Sequence, residues 1–121
     1  MISTFELSNY AVGLIIDKDL EEGNLEEIHE IILKRISEFE KINIFCEITQ
    51  EKHIAFKCLM DELRFKYDNS KNIDKLAIVT DLTWLRTVMN INDLIVHTNI
   101  RTFEIKDRMK AIQWISEQTL L

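Results

Sequence analysis

Apolar and polar positions along the chain keep switching between a period of two and a period near 3.6, and the switches mark out its elements. Leu76-Ala77-Ile78-Val79 is a continuous apolar run with charge on both sides. It is too short for a helix, so it predicts a strand buried on both faces in the middle of a sheet. Thr80 and Asp81 follow as caps for a new helix, whose first turns carry Trp84, Leu85, Val88 and Met89 at helical spacing. Strand, carboxylate and helix make an α/β unit. The carboxyl ends of strands in such sheets are where ligands sit, which makes this stretch the first place to look for function.

The same test applies to the rest of the chain. A short strand over 4–7 and a more hydrophobic one over 10–16 (YAVGLII) flank the Ser8-Asn9 turn and predict a hairpin. Asn24 is a candidate N-cap for an amphipathic helix to 39 or 40, with Leu25, Ile28, Ile31, Ile32, Ile36 and Phe39 on one stripe. The strand over 42–48 (INIFCEI) alternates isoleucines against Asn43, Phe45 and Glu47. A second helix over 53–67 is apolar on a broad arc: Ile54, Phe56, Leu59, Met60, Leu63 and Tyr67, widened by Ala55, Cys58 and Phe65. A helix this widely apolar touches more than the sheet. After the Trp84 helix the segment 90–99 sets Ile91, Leu94, Ile95 and Val96 among polar residues. A last strand over 100–104 and a terminal helix over 105–118 follow, with Met109, Ile112 and Ile115 on the core face of that helix. The order ββαβαβαβα predicts a single α/β domain over 1–121, with a mixed, mostly parallel sheet of about five strands flanked by four helices.

At 121 residues, 46% of them hydrophobic, the chain fits one domain with an ordinary core. The net charge of −6 supplies no basic footprint for nucleic acid or anionic lipid. With no proline and only Gly13 and Gly23, the glycine-rich phosphate loops of nucleotide-binding folds are excluded. No stretch has the apolar length of a membrane span and the N-terminus has no signal-peptide pattern, so the expected location is the cytoplasm. Cys46 and Cys58 are placed like small buried hydrophobes and are expected to be free thiols.

The central KLAIVTD followed by a Trp-bearing helix, then RTFEI and a helix containing AIQWI, resembles the bacterial SpoIIAA-like family. YAVGLIID and KINIFCEI fit at the expected spacings, so the likeness covers nearly the whole chain, with Gly13, Asp81, Trp84, Phe103 and Trp114 as its fixed residues. Thr80 stands where the family often has glycine, the proline before the last strand is missing, and Lys106 replaces the usual Asp cap. The resemblance implies a fold related to STAS domains and, more distantly, to CRAL-TRIO lipid carriers. It also implies a homodimer of uncharacterised function and a role in holding small nonpolar ligands.

Candidate chemistry is thin. His29, His53 and His97 are scattered and form no cluster of the kind zinc requires, so no metal or other cofactor is expected. A buried thiol without a nearby base is inert. Glu47 and Asp81 could form an acid–base pair at the sheet edge, but capping by Asp81 and solvation of Glu47 account for them more simply, and no enzyme is expected. The STAS-type phosphorylatable serine has no counterpart in ITQEKH, where only Thr49 carries a hydroxyl. The expectation is therefore a non-catalytic binding protein, a carrier or sensor of nonpolar ligands. Its site would be lined by Phe56, Met60, Leu63, Trp84, Leu85, Val88, Met89 and Leu94. The alternative is a STAS-like regulatory module that uses the same apolar surface to dock a protein partner or to dimerise.

Overall fold

The computed structural model describes residues 2–8, 10–16, 22–48, 65, 68–69, 71–92 and 99–117. Five strands, β1 (Ile2–Ser8), β2 (Ala11–Ile16), β3 (Ile42–Ile48), β4 (Ile73–Thr80) and β5 (Asn99–Phe103), form one sheet in chain order. β1 and β2 pair antiparallel as the expected hairpin, and β2, β3, β4 and β5 run parallel. Three helices are described: α1 (Glu22–Phe39) between β2 and β3, α2 (Thr83–Asn92) between β4 and β5, and α3 (Arg108–Ser116) after β5 and a single 3-10 turn, Ile105–Asp107. The fourth expected helix, over 53–67, lies outside the described residues except for Phe65, whose ring stacks on His29 of α1 at 3.8 Å. No described helix is long and apolar enough to cross a membrane.

Topology decides which face each helix covers. The parallel strands are added in one direction, and right-handed crossovers then put their connecting helices on one face. That face is aliphatic: Val12, Leu14, Ile16, Ile44, Leu76, Ile78 and Ile100 pack with Ile28 and Ile32 of α1 and Leu85 and Met89 of α2. On the opposite face Phe45, Ala77 and Val79 pack with Ala111 and Ile115 of α3. The apolar run 76–79 is an interior strand buried on both faces, as its composition predicts. The middle of the sheet is β3, however, because β5 alone lies beyond β4.

Two helix expectations change. α1 begins at Glu22, which puts Asn24 inside its first turn and not at the cap. In α3 the buried residues are Ala111 and Ile115, while Met109 is 71% exposed. The 3-10 turn takes up Ile105 to Asp107, so the α-helix starts at Arg108 and its inward stripe is rotated away from Met109.

The hairpin is fixed by a steric match. Gly13 lies opposite Phe5 in the register, and the Phe5 ring occupies the space a side chain at Gly13 would need. The same ring meets Phe45 edge-on at 5.8 Å, which ties β1 to the middle strand. Gly13→Ala forces the ring to move and is expected to destabilise the chain by about 1–3 kcal/mol in urea unfolding. Unchanged stability would mean the ring is not seated there. Glu40, just past α1, has φ 60°, a left-handed conformation in which Cβ is crowded. Glu40→Gly removes that crowding and is expected to raise stability by roughly 1 kcal/mol; a loss would contradict the assignment of a left-handed C-cap.

Candidate functional site

The carboxyl ends of β4 and β5 are joined by side chains. Thr80 is fully buried, and its Oγ1 accepts the Leu82 N–H at 3.2 Å. Asp81 is exposed, and its Oδ1 accepts the Ile105 N–H at 3.0 Å, clipping the end of β4 to the 3-10 turn after β5. It does not occupy the cap position of the Trp84 helix, because α2 starts at Thr83 and Asp81 stands one residue too early. Arg86 of α2 reaches Glu104 at 3.5 Å, and Lys106 meets the same carboxylate at 3.3 Å. The Arg86 Nε is buried without a hydrogen-bond partner among the described residues.

Glu47 is not solvated. It is 3% exposed on the α3 face, and both carboxylate oxygens accept from Arg108, Oε1 from Nε and Oε2 from Nη2, the latter at 2.9 Å. The alternation of β3 puts Glu47 on the same face as Phe45, and the first residue of α3 lies above it. The hydrogen bonding to Glu47, and then its charge, raise the Arg108 pKa above its ordinary value against a weaker effect of burial. The guanidinium is therefore charged at any working pH. Asp81 and Glu47 are thus each committed to a structural donor, and the acid–base pair weighed from the sequence does not assemble from free carboxylates.

The far end of α3 is held from the same face. Lys75 Nζ donates to the carbonyls of Trp114 and Glu117 at 3.1 and 3.0 Å, and Asn43 Nδ2 donates to Ile115 O at 3.0 Å. Tyr10 Oη adds a bond to Ser116 O at 3.0 Å. These are the orphan carbonyls of a helix end, where a cation is also favoured by the helix dipole. Register supplies the geometry: β4 bulges between the partners of Ile42 and Asn43, which sets Lys75 opposite Asn43, and Asn43 Oδ1 accepts the Lys75 N–H at 3.2 Å.

The residues expected to line a nonpolar site separate. Leu85 and Met89 are closed into the aliphatic core with Leu76, Ile78 and Ile100, whereas Trp84 is 45% exposed and belongs to neither cluster. Phe56, Met60, Leu63 and Leu94 lie outside the described residues, as do the Val88 side chain and the apolar segment 93–96. A shallow depression lined by Ile31, Lys34, Arg35 and Glu38 lies on the later half of α1, which runs away from the carboxyl edge.

A SpoIIAA-like family model matches residues 11–116, from the start of β2 to the end of α3. The chain belongs to the SpoIIAA-like family. Among solved structures it is similar to an uncharacterised protein of the DUF3478 family with a SpoIIAA-like fold from Shewanella loihica PV-4. The TM-score is 0.73 at 13% sequence identity, over 95% of this chain and 92% of that one. Likeness at that identity concerns the fold. None of the curated proteins matches the chain significantly.

In this SpoIIAA-like chain the residues that carried the resemblance have separate physical uses. Gly13 makes room for Phe5, and Asp81 clips the 3-10 turn. Phe103 and Trp114 pack at 6.2 Å, with the Lys75 ammonium 5.4 Å and the Arg101 guanidinium 5.1 Å from the Trp114 ring. Trp84 is the one whose ring takes part in neither core cluster.

The Glu47–Arg108 pair gives an asymmetric prediction. The carboxylate side chain is 4% exposed and the guanidinium 47%, so losing the arginine strands a buried charge while losing the carboxylate frees a cation already half in water. Arg108→Ala is expected to cost roughly 2–4 kcal/mol in urea unfolding, and Glu47→Gln only roughly 1–2 after allowance for that exposure. The reverse order would show that Glu47 reaches water or another donor.

Proposed function

We propose that this SpoIIAA-like chain is a non-catalytic binding protein that engages a protein partner at the carboxyl edge of its sheet, around Trp84. The observation that carries this is the position of Trp84. A large aromatic ring stands 45% exposed in the first turn of α2, beside the clipped ends of β4 and β5, while its helical neighbours Leu85 and Met89 are core. Large rings left half in water at a rigid edge are the residues that anchor protein interfaces. The non-catalytic part is supported by the committed carboxylates, since Glu47 is engaged by Arg108 and Asp81 by the Ile105 N–H.

The carrier reading needs Trp84, Leu85 and Met89 to face one nonpolar cavity together with the residues of 53–67 and Leu94. The burial of Leu85 and Met89 against the sheet favours the interaction reading over it. Both are tested in one background. In Trp114→Phe, Trp84 is the sole tryptophan, and addition of a fatty acid is expected to leave its emission and the melting temperature unchanged. A blue shift with a raised melting temperature would move the assignment to the carrier. Trp84→Ala is expected to change stability by no more than about 1 kcal/mol, as a half-exposed side chain should, while abolishing association with a partner protein. Retained association would place the interface elsewhere.

A further inference from the structure

We propose that α3 is a detachable cover, which opens from its face of the sheet as a unit while the sheet and its α1/α2 face stay folded. The two faces differ in kind. Under α1 and α2 the described buried side chains carry no charge, and the one buried hydroxyl, on Thr80, accepts the nearby Leu82 N–H. Under α3, Asn43, Glu47 and Lys75 are buried at 4%, 3% and 9% among Phe45, Ala77 and Val79. Apart from the Lys75 N–H held by Asn43 Oδ1, the side-chain partners of these three polar groups lie on α3 and its C-cap residue Glu117. Glu47 accepts from Arg108, Asn43 donates to Ile115, and Lys75 donates to Trp114 and Glu117, at the two ends of α3.

This arrangement lowers the resistance to opening. Taking a carboxylate and an ammonium out of water costs about as much as their new partners return, so rehydrating Glu47 and Lys75 offsets much of what is lost when α3 leaves. Of the apolar residues of the helix only Ala111 and Ile115 are fully buried, while Ile112 and Trp114 pack half-buried against the same core. Nine residues are also too few to hold a helix alone, so α3 melts as it leaves and the opening is all-or-none. What it uncovers is a sheet face with an apolar floor of Phe45, Ala77 and Val79, flanked by an acceptor at Glu47 and donors at Lys75 and Asn43. This device does not depend on the interface around Trp84, which lies on the other side of the sheet edge.

Amide hydrogen exchange on the full chain tests the proposal. In the wild type, amides of 112–116 are expected to exchange at least about tenfold faster than those of β3 and β4, through an opening that responds weakly to denaturant. Lys75→Met takes away the ammonium that regains water on opening and leaves an apolar side chain on the uncovered floor, so it is expected to slow exchange in α3 by about tenfold. If the α3 amides share the exchange rate and denaturant dependence of β3 and β4 in the wild type, the helix opens only with the whole fold and the proposal fails. That comparison decides the matter even if Lys75→Met does not fold.

Discussion

Glu47 and Lys75 sit on neighbouring strands, are buried, and both reach to the helix that covers them. A burial of this kind is tolerable only with good hydrogen-bonding partners, and α3 supplies these at both ends. Its first residue gives Glu47 a guanidinium, and its last carbonyls give Lys75 acceptors. The distance between the two latches sets where the helix must begin and stop. The 3-10 turn that leads into it is held by Asp81, so the end of β4 and the position of α3 depend on each other. Remove the latch and Glu47 and the Lys75 ammonium lose the partners described for them, while Asn43 keeps only its bond to the Lys75 N–H.

The opposite face answers a different constraint. Strands added in one direction with right-handed connections must place α1 and α2 together, and among the described residues that side is built mainly from isoleucine, leucine and valine, with the Thr80 hydroxyl satisfied locally by the Leu82 N–H. One sheet thus carries a dry face and a latched face. The division runs through every interior strand, because alternate residues of β3 and β4 point to opposite sides.

Most of the dry face was legible in the amino-acid sequence. Ile28 and Ile32 recur at helical spacing, the run 76–79 is apolar on both faces, and Ser8-Asn9 marks the hairpin, so periodicity alone places them. The latched face was legible only in part: Ile115 is buried and Ile112 packs beside it as the helical spacing predicts, but the polar latches are not visible in the pattern. Glu47 looks like an edge carboxylate until the alternation of β3 is combined with the position of Arg108, 61 residues later. Met109 fits an inward stripe only if the α-helix starts at Ile105, and the 3-10 turn that shifts the phase is set by Asp81 across the sheet edge. Both misreadings have one cause: the deciding partner is distant in sequence and polar, and periodicity detects neither. The candidate site divides the same way. Leu85 and Met89 were recognised as apolar, but only packing separates them from Trp84.

That separation constrains what the carboxyl edge can do. A helix one turn after a strand has its first residues above the sheet edge and its later ones over the sheet, so Trp84 and Leu85, adjacent in sequence, face solvent and core respectively. The edge beside Trp84 is stiffened by the Asp81 clip and by Arg86, which bridges α2 to Glu104. An aromatic side chain with two rotatable bonds, mounted on a braced edge, loses little freedom when it is covered, which is the condition under which a single ring contributes strongly to binding. The latched helix on the far side meets the opposite condition, since its hold depends on charges that water can also satisfy. Rigid exposure at Trp84 and reversible cover at α3 therefore rest on a sheet whose two faces differ in kind: among the described residues, the buried charged groups all lie on the α3 face.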